Sequence, residues 1–365
     1  MRPALEALPR YRPGRSLPGA IKLSSNELPW GPLPSVASAL ERGISGVGRY
    51  PDNSSSALRN RLAANLGVPV DWVTVGAGSA GILQQLALAY VDPGDEVVHG
   101  APSFEAYPIF AAMVGGVAKP VALSDFALHG PSLAAAVGPR TRLVLVAQPN
   151  NPTGPSMPGP ELENLARAIP AQTCLLVVDE AYHEFGRSGC AAIDLVRAHP
   201  HVVVLRTFSK AHGLASLRVG YAIAQPDVVD ALDRVLPPFS VSSLGQLGAM
   251  ASLDAPDEMS ERVGAVVAER ERVRAELAGG GWPVPVSEAN FVWLPVGDST
   301  DALASTMQAG GVMTRALSPY GVRVTIGLVA ENDQFLGGFF EAVAGPVGSS
   351  VAANWGLPRP EISHV

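Results

Sequence analysis

The sequence predicts an α/β protein in which a mostly parallel sheet is followed by a smaller α+β domain. The chain has 365 residues, which is more than one domain usually holds. Short apolar runs alternate with helical patterns over most of its length, and this pattern changes near residue 245. We therefore expect an N-terminal arm at 1–30, a large domain at 31–245, a small domain at 246–345 and a tail at 346–365.

The large domain is predicted from apolar runs that are bounded by turn residues, as buried strands are. These runs are Trp72–Val75, Glu96–His99, Leu143–Ala147, Cys174–Val178, Val202–Arg206 and Gly220–Ala224. Helical spacing, or a proline near a first turn, indicates helices between them at Gly81–Tyr90, Pro160–Ala168 and Pro226–Leu236. Strands that alternate with helices are typical of a parallel sheet covered by helices.

The region after residue 245 has a different pattern. Pro256–Leu277 is predicted to be one long helix rich in Glu and Arg. Two strands and two helices follow it, at Asn290–Pro295, Val322–Ile326, Asp301–Ala309 and Glu331–Ala344. Gly345–Val365 contains glycine, serine and proline without periodicity, so we expect a loose tail there.

Composition favours a globular protein that acts on small molecules. Apolar residues make up 47% of the chain and charged residues 16%. The net charge of −7 provides no general attraction to nucleic acids or anionic lipids. No segment contains the roughly 20 apolar residues that span a bilayer, and the start lacks a signal-like apolar stretch. Because two cysteines are too few for a disulfide framework or a four-thiolate metal site, we expect a cytoplasmic protein without a metal.

Lysine is rare, which narrows the search for amine chemistry. Lys22, Lys119 and Lys210 are the lysines of the chain, and of these Lys210 lies among serine, glycine and arginine. It follows the predicted strand Val202–Arg206. An amine can form an imine with a carbonyl cofactor, while a serine hydroxyl and an arginine guanidinium suit the phosphate of such a cofactor. A surface lysine, the alternative, is rarely found in a turn between two apolar runs.

Three further segments also follow predicted strands, where open α/β sheets bind ligands. Val75-Gly-Ala-Gly-Ser79 can present backbone N–H groups to a phosphate. Asn151 lies in a proline-fixed loop, and Asp179 ends a strand where its carboxylate could pair with a protonated pyridine nitrogen. Each segment alone also fits a plain turn, a helix cap or core packing, so the prediction depends on their combination.

Together and in order, these segments resemble the fold-type-I pyridoxal-phosphate aminotransferases, and within them the histidinol-phosphate aminotransferase group. The resemblance extends over Leu8-Pro-Arg-Tyr-Arg-Pro-Gly14, Lys22-Leu-Ser-Ser-Asn-Glu27, Arg49-Tyr-Pro-Asp52, Val322-Arg-Val-Thr325 and Glu331-Asn-Asp333. It implies an aspartate-aminotransferase-like fold, pyridoxal 5′-phosphate as cofactor, amino acid and 2-oxo acid substrates, and a homodimer with shared active sites.

The resemblance also implies roles for the cofactor-binding residues. Lys210 is similar to the Schiff-base lysine and proton shuttle, and Asp179 to the partner of the pyridine nitrogen. Asn151 and Tyr182 correspond to residues that bond the phenolic oxygen, and Phe104 to a ring that stacks on the pyridine. The residues implied to hold the phosphate are Gly78, Ser79, Ser209, Arg218 and, from the neighbouring subunit, Tyr50.

The substrate residues are implied in the same way. Arg323 resembles the arginine that grips the α-carboxylate, which suits its bidentate fork, and Asn151 is expected to contact the substrate too. Tyr11 and Arg315 would line the side-chain pocket. His212 replaces a more usual aromatic residue in the lysine loop.

Three segments resemble the actinobacterial aromatic-amino-acid (phenylalanine) aminotransferases in particular: Ser103-Phe-Glu-Ala-Tyr-Pro108, Pro238-Phe-Ser-Val-Ser-Ser243 and Glu288-Ala-Asn-Phe-Val-Trp-Leu-Pro295. They favour transfer of an amino group between phenylalanine or tyrosine and a 2-oxo acid such as 2-oxoglutarate. The alternatives are a histidinol-phosphate aminotransferase, a decarboxylase of the same fold and an aminotransferase of specialised metabolism. A cofactor-sensing regulator is disfavoured because such proteins carry a DNA-binding module ahead of this fold.

Overall fold

A computed structural model describes residues 17–186 and 192–355. The strands in this part of the chain are β1 (Ile21–Lys22), β2 (Val73–Gly76), β3 (Glu96–Ala101), β4 (Val117–Ala122), β5 (Thr141–Ala147), β6 (Leu175–Asp179), β7 (Val202–Thr207), β8 (Gly220–Ile223), β9 (Phe291–Leu294), β10 (Val312–Met313), β11 (Arg315–Leu317) and β12 (Gly321–Thr325).

A seven-stranded sheet forms the centre of the molecule, in the order β2-β8-β7-β6-β5-β3-β4. The pairs from β7 through β6, β5 and β3 to β4 are parallel, whereas β8 runs antiparallel to both of its neighbours. Apolar side chains on the two faces of the sheet belong to two separate buried clusters, since helices cover both faces. The predicted α/β class with a mostly parallel sheet is confirmed.

The helices that surround the sheets begin and end close to the predicted residues where a prediction was possible. They are α1 (Pro34–Gly43), α2 (Ser56–Leu66), α3 (Gly78–Tyr90), α4 (Ala106–Met113), α5 (Gly130–Ala136), α6 (Gly159–Ala168), α7 (Ile193–Ala198), α8 (Pro226–Arg234), α9 (Ser243–Leu253), α10 (Pro256–Gly279), α11 (Thr300–Ala309), α12 (Val329–Ala344) and α13 (Gly348–Asn354).

A third buried cluster lies around a smaller antiparallel sheet of order β11-β12-β9. It contains apolar residues of α10 and α12, together with Leu23 from the N-terminal segment. The segment is also tied to this region by β1, which pairs in parallel with β10. These contacts support the expectation that the arm packs with the small domain; residues 1–16 of the arm lie outside the described residues.

The expected boundary at residue 245 falls inside α9. Ala249 of this helix is buried in the first cluster, against the large sheet. We therefore propose that the division between the domains follows α9, near Asp254, and the other predicted boundaries stay predictions.

The expected loose tail needs a correction. Residues Gly348–Asn354 form α13, a short helix that packs Val351 and Ala352 into the third cluster, where Val351 is fully buried. The rest of the tail, 356–365, lies outside the described residues. Among the described helices none is by itself long and apolar enough to span a membrane; α12 and α13 pass that test only as a pair, and they meet at 96°.

Candidate active site

A pocket of about 430 Å³ lies at the carboxyl edge of the large sheet, between that sheet and the smaller one. Residues that follow β5, β6 and β7 form its floor, because the carboxyl ends of parallel strands meet at one edge. The predicted site residues that line this pocket are Ser79, Phe104, Asn151, Asp179, Tyr182, Ser209, Lys210, Arg218, Arg315 and Arg323.

The amine of Lys210 is held in the pocket in a state suited to proton transfer. Its Nζ donates a hydrogen bond to the carbonyl oxygen of Ser25 at 3.2 Å and lies 5.8 Å from the centre of the Tyr182 ring. Burial, followed by the nearby charge of Arg323, lowers the pKa of Lys210 to about 7. A large fraction of this amine is therefore neutral near neutral pH and can act as a nucleophile or base.

Asp179 ends β6 with a buried carboxylate that is only partly bonded. Its Oδ2 accepts a hydrogen bond from the Tyr107 hydroxyl at 3.0 Å. Its Oδ1 is buried and has no hydrogen-bond partner among the described residues. Burial raises the pKa of Asp179 to about 6, against the opposing effect of the Tyr107 hydrogen bond. A buried carboxylate oxygen without a partner is stabilised when a cationic or proton-donating ligand binds to it.

Glycines allow an anion site to form where β2 meets α3. Gly78 has a φ of +76°, and a Cβ there would lie 2.6 Å from a nitrogen of Arg218. A Cβ on Gly220 would lie 2.3 Å from the backbone nitrogen of Ser79. Arg218 donates to the Ser209 hydroxyl at 3.2 Å. A helix N-terminus, a hydroxyl and a guanidinium thus meet, which is an arrangement that binds phosphate.

Two arginines from the smaller sheet reach the opposite side of the pocket. Arg323 donates to Asn151 Oδ1 at 2.5 Å and to the carbonyl oxygen of Ser24 at 2.9 Å. Arg315 pairs in register with Arg323 across β11 and β12 and forms an ion pair with Glu105 at 2.6 Å. These hydrogen bonds orient the guanidinium of Arg323 between the two lobes, which are the large sheet and the smaller sheet with their helices. A guanidinium in this position can bind a carboxylate.

Some predicted residues lie elsewhere. Tyr50 is 82% exposed and stacks on Phe239 with ring centres 4.5 Å apart, so it does not line the pocket of its own chain. Tyr11 lies outside the described residues. His212 is buried beside Phe208, with its Nδ1 2.7 Å from the Ser252 hydroxyl, and burial lowers its pKa to about 4.

Comparison with known proteins identifies the family to which this site belongs. The sequence profile of the family described as "Aminotransferase class I and II" matches residues 18–337. The chain belongs to the class I and II aminotransferases.

Relatives of this aminotransferase cover nearly all of it. An aromatic amino acid aminotransferase from Mycobacterium bovis is 49% identical over 341 residues, which are 92% of this chain and 96% of the relative. One of the same name from Rhodococcus erythropolis is 46% identical and covers 92% of this chain and 94% of its own.

Solved structures show the same fold. The histidinol-phosphate aminotransferase of Sinorhizobium meliloti, solved in complex with pyridoxal-5′-phosphate, is 29% identical, with a TM-score of 0.86 over 96% of this chain and 98% of its own. The aspartate aminotransferase of Thermotoga maritima is 21% identical, with a TM-score of 0.79 over 89% of this chain and 92% of its own. The aminotransferase therefore has the aspartate-aminotransferase-like fold that the sequence predicts.

Two residues of the aminotransferase site were not assigned roles from sequence. Asn26 is buried with a φ of 54°, and its Nδ2 donates to the Tyr182 hydroxyl at 2.8 Å while Thr325 bonds its Oδ1. Tyr107 is the partner of Asp179. Both lie in segments that carry the family resemblance, but an asparagine or tyrosine there is equally compatible with a turn or with core packing.

Proposed function

We propose that this enzyme uses pyridoxal 5′-phosphate to transfer an amino group between phenylalanine or tyrosine and a 2-oxo acid such as 2-oxoglutarate. The observation that carries the proposal is the buried amine of Lys210, with its lowered pKa, in one pocket with the Asp179 carboxylate and the Arg218 anion site. The names of the relatives that are 46–49% identical support the aromatic donor.

The residues of the pocket fit this cofactor. The unpartnered Oδ1 of Asp179 suits a protonated pyridine nitrogen, whose positive charge would replace the missing partner. The close approach of Gly78 and Gly220 leaves backbone N–H groups of the α3 N-terminus, with Ser209 and Arg218, for the phosphate. Phe104 lines the pocket where a pyridine ring could stack, and Lys210 would hold the aldehyde carbon.

The bound cofactor supplies an electron sink that stabilises negative charge at the substrate Cα. The neutral amine of Lys210 would take the proton from that Cα and deliver it to C4′, the former aldehyde carbon of the cofactor. Asp179 would keep the pyridine nitrogen protonated, and the Tyr182 hydroxyl, positioned by Asn26, would bond the phenolic oxygen together with Asn151. Arg323 would hold the α-carboxylate so that the Cα–H bond faces Lys210.

The side-chain end of the pocket favours an uncharged ring. Ile109 and Phe110 of α4 line the pocket beside Phe104, and they offer apolar and aromatic contacts to the substrate side chain. Arg315 lines the same space, and its guanidinium can stack on an aromatic substrate.

A donor panel tests the proposal. The purified holoenzyme is supplied with 2-oxoglutarate and, in turn, with phenylalanine, tyrosine, tryptophan, aspartate and histidinol phosphate, and kcat/KM is measured for each. We expect phenylalanine or tyrosine to give the highest value. A preference for histidinol phosphate would instead support a histidinol-phosphate aminotransferase, the second candidate function, which the similarity to the S. meliloti structure favours. Release of CO₂ without transamination would refute both.

We further propose a cytoplasmic homodimer with shared active sites. Five large apolar side chains are exposed in the single chain, and we call this set the apolar face: Ile44, Val47, Tyr50, Phe239 and Leu247. Tyr50 stacks on Phe239, and Leu247 lies next to Gly43, which precedes Ile44. Tyr50 lies in it rather than in its own pocket, which fits a role in the neighbouring subunit. The cytoplasmic location is supported by the small number of cysteines, of which Cys174 is buried and free.

A further inference from the structure

An ion pair fixes the position of Arg315, one of the residues that line the pocket. Arg315 at the start of β11 places Nη2 at 2.6 Å and Nε at 3.2 Å from one carboxylate oxygen of Glu105, which directly precedes α4. The Arg315 side chain is 12% exposed and that of Glu105 is 40% exposed, so the carboxylate is the more solvent-accessible member of the pair. The ion pair therefore joins the two lobes at the side-chain end of the pocket.

The other arginines of the pocket have different surroundings. Among the described residues, Arg218, Arg315 and Arg323 are the arginines that line it. Arg218 lies at the anion site with Ser209, and Arg323 bonds the neutral amide of Asn151. Under the proposed function, Arg218 would bind the phosphate of the cofactor and Arg323 the α-carboxylate of the substrate. Arg315, in contrast, lines the pocket while its guanidinium is bound to the carboxylate of Glu105.

We infer that Glu105 is a specificity-determining residue that acts through Arg315: by neutralising this guanidinium, it weakens the binding of side chains that end in a carboxylate, the acceptor 2-oxoglutarate included, relative to that of uncharged aromatic side chains. This inference rests on the proposed function and names the feature that sets its substrate class.

The reason is electrostatic. A substrate carboxylate next to Arg315 would have to displace Glu105 from this arginine, and the negative charge of Glu105 would repel it. Both effects weaken the binding of a side chain that ends in a carboxylate. An aromatic ring does not compete with Glu105 for the N–H groups of Arg315. The ring can stack on the planar face of the guanidinium while Glu105 stays hydrogen-bonded to its edge. Selectivity at this position therefore depends on the presence of the Glu105 charge and not only on the apolar lining.

The test compares two carboxylate ligands that differ at their far end. Glutarate carries a second carboxylate there, and 3-phenylpropionate carries a phenyl ring. Their dissociation constants are measured by titration calorimetry on the holoenzyme, for the wild type and for Glu105→Gln. Because a charge-assisted hydrogen bond becomes available to glutarate, we expect the affinity ratio to shift about tenfold toward glutarate in Glu105→Gln. The donor half-reaction with glutamate and with phenylalanine should shift in the same direction.

Glu163→Gln is the matched control. Glu163 on α6 also forms an ion pair with an arginine, Arg167, and its side chain is 41% exposed. Arg167 does not line the pocket, whereas Arg315 does. We expect the wild-type ratio in this variant. An equal shift in Glu163→Gln would attribute the effect to net charge and overturn the inference.

The double variant Glu105→Gln/Arg315→Ala shows whether Glu105 acts through Arg315. We expect the gain for glutarate to disappear, because its binding partner is absent. An unchanged ratio in Glu105→Gln, or a gain that persists in the double variant, would overturn the inference. A wild type that binds both ligands but does not transaminate phenylalanine would instead refute the proposed function, and the binding ratios would still test Glu105.

Discussion

At the scale of single residues, the surroundings of Lys210 determine what its amine can do. An exposed lysine with a pKa of 10.5 is almost fully protonated at neutral pH, whereas burial and the charge of Arg323 lower the pKa of Lys210 to about 7. The same pocket contains the carboxylate of Asp179, which burial shifts in the opposite direction. Groups whose pKa values approach neutrality are suited to exchange protons during turnover.

Substitution of Lys210 should abolish both cofactor attachment and turnover. We expect Lys210→Ala to lose the visible absorption band of the lysine-bound cofactor and all measurable transamination, because Lys22 and Lys119 lie outside the pocket lining. Lys210→Arg should not restore either signal, since a guanidinium stays protonated. Spectra and steady-state rates test this, with Lys119→Ala as the control. Retention of the band in Lys210→Ala would refute the assignment.

The charge of Arg323 should be measurable in the pKa of Lys210. In the cofactor-free protein, Arg323→Met removes a positive charge that disfavours protonation, so the pKa of Lys210 should rise from about 7 while burial keeps it below its ordinary value. The neutral fraction at pH 7 then falls, and acylation of Lys210 at that pH should slow. The midpoint of the rate against pH, followed by mass spectrometry, gives the shift. Arg167→Met, an exposed substitution on α6, should leave the midpoint in place.

At the scale of elements, the anion site depends on the contact between β8 and the start of α3. A Cβ on Gly220 would lie 2.3 Å from Ser79 N and 2.5 Å from the carbonyl carbon of Gly78, and this backbone cannot rotate away as a side chain can. Gly220→Ala should therefore displace the α3 N-terminus. We expect a loss of about 1–3 kcal/mol in the free energy of unfolding and weaker binding of the cofactor.

Urea unfolding and cofactor titration measure both effects. Gly264→Ala in α10 is the control, because a Cβ there meets nothing within 4 Å and alanine in a helix interior is more stable than glycine by about 0.5–1 kcal/mol. If Gly220→Ala behaves like Gly264→Ala, then the close approach of β8 to α3 is not what shapes the anion site.

At the scale of the whole molecule, the apolar face predicts self-association. Its parts are held together by the Tyr50–Phe239 stack and by a hydrogen bond of 2.6 Å from Phe239 N to the side chain of Asn53. Ile44 and Val47 are 59% and 58% exposed in the single chain, and exposed apolar patches are typical of subunit interfaces.

We expect the wild type to sediment as a dimer and Ile44→Asp/Val47→Asp to sediment as a monomer, because two carboxylates would be buried at the interface. Val286→Asp, at a position that is 60% exposed, should remain a dimer. A monomeric wild type would refute the prediction. Shared sites add a second readout: mixed dimers of Lys210→Ala and Tyr50→Ala should regain activity, since one of their two sites then has both residues intact.

Local patterns in the sequence were sufficient for most of the large sheet and for the composition of the pocket. Buried parallel strands are apolar over their whole length, so β5, β6 and β7 are visible as runs, and the residues that follow them lie at one edge by geometry. β4 was missed because it is a partly exposed edge strand that contains Pro120. α13 was missed because seven residues are too few to show a helical period.

The sequence by itself determined the fold class and the set of residues that surround Lys210 in the pocket, since these follow from short segments whose order along the chain is informative. The chemistry of Lys210 stays a prediction. The tertiary structure decided which distant groups meet. Glu105 and Arg315 are 210 positions apart, and Asn26 and Tyr182 are 156 positions apart. No local pattern encodes such a pair, because its geometry depends on how two lobes with separate cores pack against each other.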